Sequence, residues 1–150
     1  MTYKSSGSEM RQPVKCRMTK PECRINDEKT MTKKPPVPEY DLEERTARFG
    51  EAVIAFAKSV PSTCVTLPLV SQPVRSATSI GANYCEADDA ESKKDFRHKI
   101  STCRKESRET KHWLRMLVAA DRGLREAVKP LWQEAKELNL IFSAIWRRSG

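Results

Sequence analysis

Apolar residues recur at steps of three, four and seven positions from residue 42 onward, with polar residues between them. Residues at these steps share one face of an α-helix, so the pattern predicts amphipathic helices. The first helix follows a capping box formed by Asp41 and Glu44, and it ends before Pro61. Its apolar stripe consists of Leu42, Phe49, Val53, Phe56 and Val60.

A second apolar stripe follows a connection that runs from residue 62 to residue 68. It consists of Val70, Val74, Ala77, Gly81, Tyr84 and Cys85. Pro73 lies near the start of this segment. We expect it in the first helical turn, where the missing N–H costs no intrahelical hydrogen bond.

The two longest stripes occupy the C-terminal third of the chain. A second capping box, from Ser92 to Asp95, precedes Phe96, Ile100, Cys103, Ser107, Thr110, Leu114 and Leu117. The fourth stripe is Leu124, Val128, Leu131, Ala135, Leu138, Phe142 and Ile145. The turn between them spans 121–123, and we expect Gly123 to end the third helix. Pro130 either lies near the start of the fourth helix or kinks it.

Four amphipathic helices with short connections predict an all-α fold, an antiparallel up-and-down four-helix bundle over residues 40–150. No segment alternates with the period of two that a half-buried strand requires, so we expect no sheet. Residues 1–39 are different: they contain nine basic residues, five acids and five prolines, without an apolar stripe. This composition predicts a disordered basic N-terminal arm, either a solvated leader or a contact for nucleic acid.

Charge is concentrated on the third helix. The chain has 28 Lys and Arg against 20 Asp and Glu, a formal charge of +8, and nine basic residues but three acids lie between Ser92 and Val118. At about 100° per residue, seven cations collect on the side away from the apolar stripe. We call them the basic ridge: Lys94, Arg97, Arg104, Lys105, Arg108, Lys111 and Arg115. Such a ridge suits a nucleic-acid backbone, and an acidic protein face is the other partner it fits.

The second helix carries a polar face of a different kind. It consists of Gln72, Arg75, Ser76, Ser79, Asn83 and Glu86. Short hydrogen-bonding residues are poorer helix formers than Lys, Glu or Ala. This face therefore indicates a polar interface, either with the next helix or with a neighbouring protomer, although a neutral solvent face is the simpler alternative.

The chain lacks the residue patterns of common catalytic sites. Five glycines form no phosphate loop, and neither His98 nor His112 lies beside a nucleophile. We expect no enzyme activity, no metal and no cofactor. Five cysteines without a C-x-x-C pair indicate a reducing compartment, and Cys85 and Cys103 are expected as small core residues. With no apolar run long enough to span a membrane, the sequence predicts a cytoplasmic protein.

Several segments resemble the bacterial four-helix bundle family, also called the 23S rRNA intervening-sequence protein or S23 ribosomal protein family. They are residues 72–83, Glu86-Ala87, Ser92 to Phe96, Ser107-x-Glu109-Thr110-x-x-Trp113-Leu114, and Asp41-Leu42. The resemblance covers Tyr40 to Trp146. Pro73, Cys85 and Pro130 depart from the family pattern.

This resemblance implies a four-helix bundle that assembles as a homopentamer. A related bundle, the accessory variability determinant of diversity-generating retroelements, is a basic pentamer that works with a reverse transcriptase and its RNA. The leading hypothesis is therefore a non-enzymatic, homo-oligomeric bundle that binds nucleic acid, especially structured RNA, through the basic ridge. The alternative is a protein-interaction scaffold or accessory subunit that docks an acidic partner, such as a reverse transcriptase accessory protein.

Overall fold

A computed structural model of the chain describes residues 41–150, so the arm predicted for residues 1–39 lies outside the described residues. The described part contains four α-helices and one short 3₁₀ turn. They are α1 (Leu42–Ser59), α2 (Thr66–Asp88), α3 (Lys93–Ala120), the 3₁₀ turn Arg122–Leu124, and α4 (Arg125–Arg148). No strand occurs within residues 41–150, and the predicted all-α class is confirmed.

Both predicted capping boxes supply the N-cap of a helix. The side chain of Asp41 accepts a hydrogen bond from the Glu44 N–H at 3.1 Å, and the Ser92 hydroxyl accepts one from the Asp95 N–H at 3.1 Å. Each cap satisfies one of the N–H groups that a helix leaves without an intrahelical partner. Helices α1 and α3 therefore begin where the sequence predicts.

Helices that follow one another along the chain pack side by side and antiparallel. Helix α2 packs between α1 and α3, α4 packs on α3 and closes the bundle against α1, and α1 and α3 lie diagonally apart. Contacts between α2 and α3 show the direction, since Ser76 meets Thr110 while Glu86, further along α2, meets Lys99, earlier in α3. This arrangement is the predicted up-and-down four-helix bundle.

The core consists of the predicted apolar stripes. Fully buried side chains from all four helices meet along the bundle axis: Val53, Ile80, Ile100, Cys103, Leu114, Leu117, Leu138 and Phe142. Burying a side chain of the size of Leu or Phe contributes about 1.5–3 kcal/mol relative to leaving it exposed. Phe96 and Ile145, predicted on the same stripes, are half-buried at the periphery.

Helix α2 begins earlier than predicted, and Pro73 is therefore not in its first turn. The Thr63 hydroxyl accepts a hydrogen bond from the Thr66 N–H at 3.0 Å, which starts the helix at Thr66. Pro68 then occupies the first turn, the place predicted for Pro73. Pro73 instead lies inside α2 and is buried.

Three further expectations about single residues have clear outcomes. Asp121, not Gly123, ends α3: its extended backbone stops the helix, and its carboxylate accepts a hydrogen bond from the Gly123 N–H at 2.8 Å. Cys85 is exposed rather than in the core, because Tyr84 and Ala87 occupy the inner positions beside it, whereas Cys103 is buried as predicted. Pro130 lies in the second turn of α4, near its start.

Candidate nucleic-acid interface

The basic ridge of α3 divides into two rows. Four of its side chains are exposed, namely Lys94, Lys105, Arg108 and Arg115. The other three, Arg97, Arg104 and Lys111, are half-buried beside α4 rather than opposite the apolar stripe as predicted. These three positions are seven residues apart, so they share the flank of α3 that faces α4.

Trp146 on α4 lies against two arginines of the ridge. The guanidinium carbons of Arg97 and Arg104 are 4.6 Å and 4.4 Å from the centroid of the Trp146 ring. These distances are within the range of cation–π attraction. A stacked guanidinium keeps its N–H donors in its own plane, so both arginines remain able to bind a phosphate.

Trp132, earlier on α4, contacts the same half-buried row of the ridge. The ammonium nitrogen of Lys111 is 5.0 Å from the Trp132 ring centroid, and that of Lys136 is 6.0 Å from it. Trp132 and Trp146 are fourteen residues apart, about 21 Å along the helix axis. The α3–α4 surface thus presents two indole rings, each accompanied by two cations.

An open groove of about 640 Å³ lies where the end of α3 meets the start of α4. Its lining combines apolar and aromatic side chains with three cations and one acid: Val118, Val128, Trp132, Arg115, Arg125, Lys129 and Glu126. Arg115 belongs to both the ridge and the groove, so the two surfaces are continuous.

The ridge is not neutralised by acids of the described residues. Ion pairs within residues 41–150 join Arg45 to Glu134 and Glu137, Arg48 to Glu44, Arg75 to Glu109, and Lys99 to Glu86, and none includes a ridge residue. Glu109 on α3 is directed to α2 and to its own helix, since it accepts hydrogen bonds from Arg75 at 3.2 Å and from the Trp113 indole at 3.1 Å. The positive field of the ridge is therefore retained.

Glu106 is a further acid of α3, and the pKa of its carboxyl is raised. Its side chain is half-buried, and burial together with the charge of Glu109 raises the pKa of its carboxyl, while Arg75 opposes the shift. Burial acts in this direction because it disfavours the ionised form.

Half of the polar face of α2 contacts α3. Arg75 pairs with Glu109 at 3.2 Å, Glu86 pairs with Lys99, and the hydroxyls of Ser76 and Thr110 are 2.8 Å apart. Ser79 and Asn83 hydrogen-bond to each other within α2, and Gln72 accepts the Ser76 hydroxyl through its backbone carbonyl. Three of the six residues of this face thus contact the next helix, and a contact of the face with a neighbouring protomer stays a prediction.

Several participants in the α3–α4 surface, Trp146 among them, were not predicted as site residues. Trp132, Arg125 and Lys129 belong to α4, and only the antiparallel packing of α4 on α3 brings them beside the ridge. In the sequence, these residues are recognisable only as cations and tryptophans at helical spacing beside the apolar stripe of the fourth helix. The histidines of α3, His98 and His112, are exposed, and the His112 ring meets that of Trp113 edge-on.

A family model for the 23S rRNA-intervening sequence protein matches residues 39–144 of the chain. That match spans the whole bundle up to the last turn of α4. The chain belongs to the 23S rRNA-intervening sequence protein family. The predicted family is thus confirmed by a match that includes every residue of the basic ridge and of the groove.

A solved structure agrees with this assignment. It is the 1.70 Å crystal structure of a protein with unknown function from the S23 ribosomal protein family of Bacteroides thetaiotaomicron VPI-5482. The two chains are 28% identical, and the alignment covers 69% of this chain and 96% of the other with a TM-score of 0.62. The comparison with curated proteins found no match. Within residues 41–150, no helix has both the length and the apolar character needed to cross a membrane.

Proposed function

We propose that this member of the family is a non-enzymatic, homo-oligomeric bundle that binds nucleic acid, structured RNA in particular, in the cytoplasm. The observation that carries the proposal is the basic ridge of α3, whose cations have no acidic partner within residues 41–150. Ordinary helix surfaces mix charges of both signs. A one-sign surface attracts a polyanion, and the phosphate backbone is the polyanion that a row of arginines fits best.

The stacked arginines support phosphate binding further. A free arginine side chain loses rotamer freedom when it binds, and this loss weakens the interaction. Packing against Trp146 restricts Arg97 and Arg104 before any ligand arrives. Less rotamer freedom is therefore left for these two arginines to lose when their N–H donors bind phosphate oxygens.

Homo-oligomerisation, as a pentamer by family resemblance, would repeat the ridge around a symmetry axis. Several weak phosphate sites that act together bind far more tightly than one. Three large apolar side chains, Val65, Leu67 and Leu140, are more than half exposed in the single chain and are candidates for protomer contacts. Light scattering should report a multiple of the 17.1 kDa chain mass at micromolar concentration, and a monomer would contradict this part of the proposal.

A salt titration tests the proposal. The variant Lys105→Glu/Arg108→Glu changes two exposed ridge cations that contact neither tryptophan nor the groove. The matched control is Arg48→Glu/Lys58→Glu on α1, diagonally across the bundle, with the same change in net charge. Because each lost phosphate contact removes about 0.7–0.9 from the log–log salt slope, we expect a flatter slope and weaker RNA binding for the ridge variant only.

The outcomes separate the candidate functions. Equal affinity and equal slope for the wild type and a folded ridge variant would reject the ridge as a nucleic-acid surface. A scaffold that docks an acidic protein would then be the better explanation of the same cations. Circular dichroism is the control for folding, and exposed substitutions of this kind usually change stability little.

A further inference from the structure

The groove at the end of the bundle has a chemistry that the ridge lacks. The ridge offers charge alone, whereas the groove combines the Trp132 indole and two valines with Arg115, Arg125 and Lys129. Its volume of about 640 Å³ is within the range of roughly 300–1,000 Å³ found for pockets that hold small organic ligands. A ligand that matches this lining has a flat aromatic part and a negatively charged part.

We propose that the groove holds one unpaired nucleotide of the bound strand, with its base stacked on Trp132 and its phosphate among Arg115, Arg125 and Lys129. This inference rests on the proposed function and adds to it a preference for single-stranded segments. Trp is the side chain with the largest π-face for a base, and the three cations outnumber the single acid of the lining.

The position of the groove favours a nucleotide within a strand over a free one. Arg115 lies at the end of the ridge and also lines the groove, so a backbone that follows α3 leads directly into it. A strand held along the ridge presents its next nucleotide at high local concentration, while a free nucleotide has only the groove contacts.

Stacking on Trp132 requires an unpaired base. Bases within a duplex are covered on both faces by their neighbours, and proteins therefore stack aromatic side chains on bases of loops, bulges and ends. Trp132 is half-buried, and the two lysines near its ring, Lys111 and Lys136, are not part of the groove lining. Trp132 itself lines the groove, so part of its side chain faces that space. Glu126, the acid of the lining, is suited to accept a hydrogen bond from an amino group of the base.

The test compares binding of a single-stranded oligoadenylate with binding of a blunt RNA duplex of equal length, both labelled for fluorescence anisotropy. Trp132→Leu should weaken binding of the single strand roughly tenfold more than binding of the duplex, the effect of losing about one stacked base. Duplex binding should fall no more than a few-fold, because only Lys111 of the ridge loses its packing on the ring. Trp132→Phe, which keeps an aromatic face, should restore most of the single-strand affinity. Trp113→Leu is the matched control, because Trp113 is also half-buried but lies outside the groove.

A second variant tests the cations of the groove. Arg125→Gln/Lys129→Gln should flatten the salt slope for oligoadenylate more than the slope for the duplex, because all seven ridge cations remain.

Each outcome is decisive. If the wild type binds neither RNA, the proposed function and the groove assignment both fail. Suppose instead that the wild type binds both RNAs. If folded Trp132→Leu then binds both RNAs with equally reduced affinity, or with unchanged affinity, the groove assignment alone is overturned. If adenosine monophosphate competes as strongly as oligoadenylate, the groove is a free-nucleotide site and the assignment to a strand is overturned.

Discussion

The guanidinium carbon of Arg104 lies 4.4 Å from the centroid of the Trp146 ring, and the half-buried arginine is fixed at the border between α3 and α4. Arg97 approaches the same ring to 4.6 Å. One indole thus positions two cations of the ridge. It affects the geometry of the binding surface without contributing charge to it.

Trp146→Leu therefore separates positioning from charge. With every cation retained, we expect the salt slope for RNA binding to stay the same, while affinity falls a few-fold because the two arginines regain rotamer freedom. Loss of two cation–π contacts should also lower the free energy of unfolding by about 1–2 kcal/mol. Urea denaturation measures the second effect, and a salt titration measures the first.

Trp146→Phe serves as the control, since it keeps a weaker π-face for both guanidinium groups. A reduced slope in Trp146→Leu would mean that the indole itself alters the number of phosphate contacts. That result would contradict a purely positioning role.

Local signals in the sequence were sufficient to predict the fold. Capping residues such as Asp41 and Ser92 act through the backbone three positions on, so the chain alone specifies them. The apolar stripes likewise become the core, because the apolar face of each amphipathic helix is stabilised by packing against the other helices. The start of α2 was predicted wrongly, since Thr63 caps it from within a stretch that resembles a loop.

The candidate site was predicted less completely. The sequence places seven cations on one helix, but which of them contact α4 depends on how two helices far apart in the chain pack. Contacts such as Lys111 with Trp132 depend on the register of α3 against α4. The groove forms only where α3 and α4 pack in that register. The sequence pattern of either helix alone therefore does not predict it.

The hydroxyls of Ser76 and Thr110 form a buried polar contact between α2 and α3. They are 2.8 Å apart, and each is also within 3.1 Å of a backbone carbonyl one turn back in its own helix. Ser76→Ala or Thr110→Val alone leaves the other hydroxyl without its partner across the helices. We expect each to lower the free energy of unfolding by about 1–2 kcal/mol.

The double variant Ser76→Ala/Thr110→Val should cost less than the sum of the two single variants, because no hydroxyl then lacks its partner across the helices. Urea denaturation of all four proteins completes this cycle. Strictly additive effects would show that the two hydroxyls do not interact energetically.

The rate at which Cys103 is alkylated measures how well the inner face of α3 is buried. Cys103 is fully buried, its thiol donates to the Ile80 carbonyl at 3.5 Å, and burial raises the pKa of the thiol to about 12. Since the thiolate is the reactive form, Cys103 should resist alkylation at pH 8 in the folded protein. Cys64 and Cys85 are exposed and should react.

Mass spectrometry of peptides after brief iodoacetamide treatment distinguishes these sites. In urea all three should be labelled at similar rates. Labelling of Cys103 as fast as Cys85 without denaturant would show that α3 opens readily from the bundle.

Glu106 provides a prediction about pH. Burial and the nearby Glu109 raise the pKa of its carboxyl above the ordinary value of 4.5. A carboxyl with a raised pKa in the folded state destabilises the fold wherever it is ionised in both states, that is, above the folded pKa. This cost diminishes as the pH falls through the folded pKa, and it is gone below the unfolded pKa, where the carboxyl is protonated in both states.

Glu106→Gln removes the charge at every pH. We expect the variant to have a higher free energy of unfolding than the wild type at pH 7, by less than about 1 kcal/mol because the half-buried carboxylate is screened by water. The difference should shrink as the pH falls through the folded pKa and vanish only below the ordinary pKa of 4.5, where the carboxyl is protonated in both states. Glu51→Gln on α1 is the control, since Glu51 is exposed and forms no ion pair within residues 41–150. Urea denaturation at a series of pH values measures both variants. A Glu106→Gln protein that is less stable than the wild type at pH 7 would show that the charge of Glu106 is needed, with its attraction to Arg75 outweighing the cost of burial.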